Sequence, residues 1–193
     1  LNLVALYTCP WPGQGFYFNK AVNSSKDTQG VKFRSYNSAT ATFAEELGMV
    51  PVQVEAAELS QALATGVAES FISSGSTGYD RKVWEHLSHY YKVNAWLPRN
   101  YVMVNKGVWE GLNSDMKGAV QKAADETGAA CSAKSAELAS WYFEQLEANG
   151  MAVEDASPEF LAELQAIGVK MTADWLASAG ADGQAILDAY KSN

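Results

Sequence analysis

Cysteine and histidine are scarce in this chain: two of each among 193 residues. Cys9 and Cys131 stand far apart and make no Cys-x-x-Cys redox or zinc spacing. They read as two isolated buried thiols, with a single disulfide left open. No apolar run reaches the roughly 18–20 residues of a membrane span, so the sequence is not that of a spanning protein. Positive charge is also short, with 14 Lys and Arg against 22 Asp and Glu and a formal net charge of −8. Such a surface repels phosphate backbones and excludes nucleic acid as a partner. G-x-S-x-G, P-loop, H-E-x-x-H and C-x-x-C motifs are all lacking, as are internal repeats and low-complexity tracts. There is no initiator Met and no secretory leader. Leu1–Leu6 already reads as an apolar core strand, as in a piece of a longer protein, so the missing leader says nothing about compartment.

What is present is an alternation of strand and helix patterns. Between Gly30 and Ser74, the apolar runs Val31–Phe33, Val50–Val54 and Val67–Ile72 are separated by helical patterns at Ala39–Leu47 and Ala56–Ala64. That is a β-α-β-α-β unit with helices packed on neighbouring strands. Leu1–Thr8 reads as a buried strand, followed by the turn-rich Cys9–Gly15. Gly75–Gly78 reads as a flexible link, and Tyr79–His89 as a helix. Strands follow at Tyr90–Trp96 and Asn100–Asn105, then a helical turn at Val108–Leu112. Asn113-Ser114-Asp115 caps a long helix to about Ala148, rich in strong helix formers. At about 1.5 Å per residue it extends about 50 Å, enough to cross two lobes. Ser157-Pro158 opens a helical tail through Glu159–Ile167, Lys170–Ala179 and Gly183–Lys191.

Arg34 is the residue best placed to bind something. It ends the first strand of the β-α-β-α-β unit, beside a helix N-terminus. A guanidinium grips a carboxylate through two parallel hydrogen bonds, and first-turn N–H groups add positive potential. Ligand crevices of open α/β sheets lie at strand carboxyl ends. The hydroxyl-rich Ser73-Ser74-Gly75-Ser76-Thr77 ends a neighbouring strand and supplies neutral donors. Trp11, Phe16, Tyr17, Tyr36, Phe71 and Trp96 lie near strand ends, individually as expected for core residues and jointly as expected for walls around a small carboxylate. His86 and His89, three apart on the expected helix, read as a half-buried helix face rather than half a metal site. Glu55 and Glu58 read as helix-start carboxylates. Glu69 precedes the Ser70–Ser74 segment, where it can meet a ligand or a cation. An enzyme using Glu69 and His86 as acid and base is the alternative, without a nucleophile–base pair at readable spacing to support it.

The order of segments resembles the TRAP-type (tripartite ATP-independent periplasmic) solute-binding proteins. The matching pieces are A-V-N-S-S-K-D-T-Q-G, G-V-K-F-R with Asn37 three residues on, A-E-L-S-Q-A-L-A-T-G-V, and N-Y-V-M-V-N-K-G-V-W-E-G-L ahead of the long helix. The resemblance implies an α/β fold of the two-lobed periplasmic binding protein type, with the second lobe largely complete, the first partial, and a long lobe-spanning helix. It assigns residues 1–10 to a crossing strand and remnant of the first lobe, 11–98 to the α/β core of the second, 99–138 to a first-lobe strand and the first part of the long helix, and 139–193 to the end of that helix and C-terminal helices on the second lobe. Arg34 then corresponds to the family's carboxylate clamp. Ser73 falls where many members carry a ligand-binding Asn, and Gln14 where sialic-acid binders carry a second arginine. Asn37 and Ser74 add hydrogen bonds, while Trp11, Phe71 and Trp96 cover the ligand body. The implied function is periplasmic capture of a small organic acid (a monocarboxylate, keto acid or aromatic acid) and delivery to a TRAP membrane permease, without bond chemistry. A ligand sensor on the same fold is the other reading. The resemblance implies no cofactor and leaves a bound cation near Glu69 open.

Overall fold

The computed structural model describes residues 1–192. In chain order its elements begin with β1 (Leu3–Pro10), β2 (Gln14–Phe18), β3 (Lys32–Ser35), α1 (Ser38–Glu46), β4 (Val50–Gln53), α2 (Leu59–Ala64), β5 (Ser70–Ser73) and α3 (Gly75–Asp80). They continue with β6 (His89–Trp96), β7 (Arg99–Asn105), α4 (Lys106–Gly111), α5 (Ser114–Ala148), β8 (Ala152–Glu154) and α6 (Pro158–Lys191). Two compact units result, one from Leu1–Tyr17 with Ile72–Glu154, the other from Phe18–Phe71 with the chain from Asp155 onward.

In the second of these units the strand order is β4-β3-β5, with β5 running on into the first unit. β3 is parallel to both neighbours, Arg34 pairing with Val52 on β4 and with Phe71 on β5. Parallel strands need crossovers, and α1 and α2 supply them. Both faces of β5 are covered, so all four of its residues are buried. Phe33, Phe43, Leu47, Leu59 and Leu63 fill the core, and Phe160 and Leu164, one turn apart on α6, join it. Ser157 caps α6 by accepting from the Phe160 N–H at 3.0 Å. The Glu163 carboxylate on α6 accepts from the Ser25 N–H at 2.6 Å and the Ser25 hydroxyl at 2.9 Å, fastening the 3₁₀ turn Ser25–Thr28.

In the other unit the strand order β5-β2-β6-β8 is accompanied by an antiparallel β1-β7 ribbon. Asn113 caps α5 through a 2.9 Å bond from the Met116 N–H. The helix then runs for 35 residues, as its composition predicts. It packs along β1. A side chain at Gly128 would bring its Cβ to 3.0 Å from the Tyr7 Cβ, so glycine permits the approach.

Several expectations are corrected. Cys9 and Cys131 are not separate thiols: they form a disulfide joining β1 to α5, Cα atoms 5.7 Å apart. The spacing hides this because the pairing is made by the fold. β1 is not a buried strand. Its only partner among the described residues is β7, and Leu3 remains 43% exposed. Gly75–Gly78 is not a flexible link but the buried start of α3. A Cβ on Gly78 would fall 2.3 Å from the Tyr17 hydroxyl, so its glycine serves close packing. The expected helix to His89 stops early. Lys82 takes a left-handed φ of 49°, a short 3₁₀ turn follows at Val83–Glu85, and His89 opens β6. His86 and His89 therefore share no helical face. The tail is two helical runs rather than three: the expected gap between Ile167 and Lys170 is continuous helix, while Gly180, with a non-helical φ of 60° and ψ of −143°, separates the last run as expected.

Candidate functional site

Arg34 sits next to the carboxyl end of β3 with only 5% of its surface exposed. Its Nε–H donates to the Val54 carbonyl at 2.8 Å, just past the end of β4. Its Cζ lies 5.0 Å from the Tyr36 ring centroid, inside the range of a cation–π contact. Among the described residues no carboxylate lies within ion-pair distance of it. Burial pulls the guanidinium pKa below its ordinary value, while Tyr36 and Glu55 push it the other way. An arginine nonetheless stays charged in proteins. The result is a buried cation with no carboxylate at ion-pair distance among the described residues, Glu55 acting on it only from farther off.

The next segment turns positive potential toward the same place. Asn37 is the N-cap of α1, its Oδ1 accepting from the Thr40 N–H at 2.8 Å. The buried Thr40 hydroxyl oxygen in turn accepts from the N–H groups of Tyr36 and Asn37, each at 3.2 Å. α1 has no acidic residue in its first turn, so its positive end is not neutralised by a side chain. Such an arrangement is suited to a small anion.

The remaining expected residues occupy different settings. Phe71 is fully buried and is Arg34's neighbour in register on β5. Glu69 lies at the opposite, amino end of β5. Its carboxylate accepts from the Lys32 N–H at 3.1 Å, while Lys32 Nζ donates to the Gly66 carbonyl at 2.9 Å. The structure thus keeps Glu69 apart from the strand ends where Arg34 lies. Among the described residues no group of three or more His, Cys, Asp or Glu converges to hold a metal ion.

In the unit with α5, Ser73 ends β5 and its hydroxyl donates to the Thr77 hydroxyl at 2.8 Å. The Ser74 and Ser76 hydroxyls are 2.7 Å apart, and the Ser74 carbonyl accepts from the Tyr17 hydroxyl at 2.9 Å. Burial lifts the Tyr17 phenol well above its ordinary pKa, with Tyr90 adding to the shift, so it stays a neutral donor. Gln14 is buried on β2, and Trp96 is half-buried at the end of β6. Trp11 is 41% exposed, its indole N–H donating to Asn100 Oδ1 at 3.0 Å. The structure brings Arg34, Asn37 and Phe71 into one setting and places Gln14, Ser73, Ser74, Trp11 and Trp96 in the other unit. The sequence reading missed the Val54 carbonyl, which carries no side-chain signal. It also missed Thr40, for which the Asn-x-x-Thr spacing from Asn37 was an available capping cue.

A buried guanidinium at parallel-strand carboxyl ends, with no carboxylate within ion-pair distance among the described residues, is a setting able to accept a small anion in an α/β solute-binding fold. The particular family follows from comparison: the chain belongs to the DctP family of bacterial extracellular solute-binding proteins, family 7, whose model matches residues 13–178. It is 83% identical to a TRAP solute-binding protein specific for pyroglutamate, from an unidentified microbe of a marine metagenome, solved with co-purified pyroglutamate. That match has a TM-score of 0.95 and covers 100% of this chain and 63% of the other. DctP6 of Bordetella pertussis, an extracytoplasmic solute receptor binding pyroglutamic acid, is 43% identical with a TM-score of 0.96, over 100% of this chain and 64% of its own. DctP7 of the same organism, also binding pyroglutamic acid, is 36% identical with a TM-score of 0.95, over 98% and 63%. The chain thus spans less than two thirds of the length of these relatives. Among the described residues no helix is long and apolar enough to cross a membrane.

Proposed function

We propose that the complete protein captures pyroglutamate or a closely related small cyclic monocarboxylate in the periplasm and hands it to the membrane permease of a TRAP transporter. The observation that carries the reading is Arg34: a charge buried without an internal carboxylate partner, beside a helix N-terminus. Leaving an ion unpaired in the interior is costly, and an arriving carboxylate relieves that cost. Pyroglutamate is a five-membered lactam carrying one carboxylate. The carboxylate suits Arg34, and the ring's N–H and C=O need a few neutral partners. Asn37, Gln14, Ser73 and Ser74 are the proposed partners, and Trp11, Phe71 and Trp96 the proposed walls about the ring. The three relatives named above support this ligand, because each is described as binding pyroglutamate or its acid. No chemical step is assigned to any residue, and no metal is invoked.

Calorimetric titration of the complete chain with pyroglutamate tests the proposal. Saturable binding is expected, and Arg34→Ala is expected to weaken it at least about tenfold, or about 1.4 kcal/mol. Equal affinity in the variant would refute the clamp. Absence of pyroglutamate binding by the unsubstituted protein, with another organic acid bound instead, would replace the ligand and keep the clamp.

A further inference from the structure

We infer that Tyr36 is a positioning residue for the anion clamp, its ring holding the Arg34 guanidinium so that only the edge carrying the two terminal nitrogens is presented to a carboxylate. The inference rests on the reading of Arg34 as the ligand's partner and adds the direction from which the ligand is taken.

A guanidinium offers a carboxylate two kinds of fork, one made of Nε and a terminal nitrogen, the other of both terminal nitrogens. The first is already engaged, because Nε–H donates to the Val54 carbonyl at 2.8 Å. The Tyr36 ring lies against the same group, with Cζ over its face 5.0 Å from the centroid, and restrains how the guanidinium can turn. What is left is the end-on fork. A carboxylate entering there lies in the plane of the guanidinium and orients whatever it carries along the Cζ axis.

The ring is not placed by chance rotation of a loop. The Tyr36 N–H donates to the Thr40 hydroxyl oxygen at 3.2 Å, as does the next N–H, that of Asn37. The Thr40 hydroxyl donates on to the Asn37 carbonyl at 3.0 Å, and Thr40 is fully buried. The capping network of α1 therefore fixes the turn that carries Tyr36. Because Arg34 is nearly buried, its contact with the ring belongs to the desolvated and stronger end of the cation–π range.

The alternative role for Tyr36 is shape alone, which a fluorinated ring keeps while its electron-rich face is lost. The test replaces Tyr36 in the complete chain by phenylalanine and then by mono-, di- and trifluorinated phenylalanine, each titrated with pyroglutamate. Phe is the reference, since it keeps the ring and removes the hydroxyl. Affinity is expected to fall stepwise with fluorination, because a guanidinium no longer held by the ring turns away from the orientation the carboxylate needs, with a desolvated cation–π contact setting the ceiling at about 30-fold from Phe to the trifluorinated ring. A flat series, with Arg34→Ala still weakening binding at least about tenfold, overturns the inference and leaves the clamp itself intact. If Arg34→Ala binds as tightly as the unsubstituted protein, the clamp reading falls and the positioning role falls with it.

Discussion

The Cys9–Cys131 disulfide closes a loop with a sequence separation of 122 residues, which includes the whole of Phe18–Phe71. Breaking it restores freedom to the unfolded chain. The chain-entropy relation gives about −16 cal/mol/K for a loop of this length, or about 5 kcal/mol at 25 °C. That figure is an upper value, since a real denatured chain is already partly compact. The replacement Cys9→Ser with Cys131→Ser is therefore expected to lower stability by about 3–5 kcal/mol. For a chain of this size that corresponds to a fall in Tm of about 6–20 °C. The assay is urea unfolding followed by far-UV circular dichroism, whose signal is strong for α5, with the oxidised protein and the doubly substituted one measured side by side. Adding reductant to the oxidised protein should move its midpoint onto that of the variant. Coincident midpoints for all three samples would refute the argument, because the cross-link would then not be restricting the unfolded chain.

Two further outcomes follow from individual polar groups. Ser70 Oγ on β5 is buried without a hydrogen-bond partner among the described residues, so Ser70→Ala is expected to raise stability by about 1 kcal/mol in denaturant titration, and a loss of stability would contradict it. The N–H groups of Asn23 and Ser24 hold the Asp27 carboxyl below its ordinary pKa of 3.8. Its contribution is present above that value and is lost as pH falls through the lower native one, so Asp27→Asn should flatten the acid limb of the stability–pH curve; an unchanged limb would show that other carboxylates set it.

What could be read from the sequence was whatever local chemistry decides. The start of α5 was legible because Asn113 is a strong cap and the following residues all favour helix. The β-α-β-α-β order between Gly30 and Ser74 was legible because strand and helix patterns alternate there. Features made by contacts distant in sequence were not. The disulfide joins residues whose spacing carries no signal. β8 is three residues long and exists through its pairing with His89–Tyr91. The glycines of α3 were read as flexibility, although at Gly78 the missing side chain makes room for Tyr17. The helix expected through His89 fails at the left-handed Lys82, a conformation that propensity does not foresee. The sequence also located Arg34 beside a helix start, but its Nε partner is a main-chain carbonyl that any residue at position 54 would supply.

The same physics explains why a guanidinium is kept at a position that works against folding. Its burial raises the free energy of the ligand-free state, and the Val54 carbonyl and Tyr36 ring offset part of that rise without neutralising the charge. An internal carboxylate at ion-pair distance would stabilise the protein further, but it would occupy the nitrogens a ligand needs. On the proposed reading, the Val54 carbonyl and the Tyr36 ring hold the guanidinium while Glu55 acts on it only from beyond ion-pair distance, so its terminal nitrogens stay available to a ligand carboxylate. Glu69, at the amino end of β5, is engaged instead by the Lys32 N–H at 3.1 Å. On the clamp reading proposed above, keeping these two charges at opposite strand ends leaves the Arg34 terminal nitrogens open to a ligand.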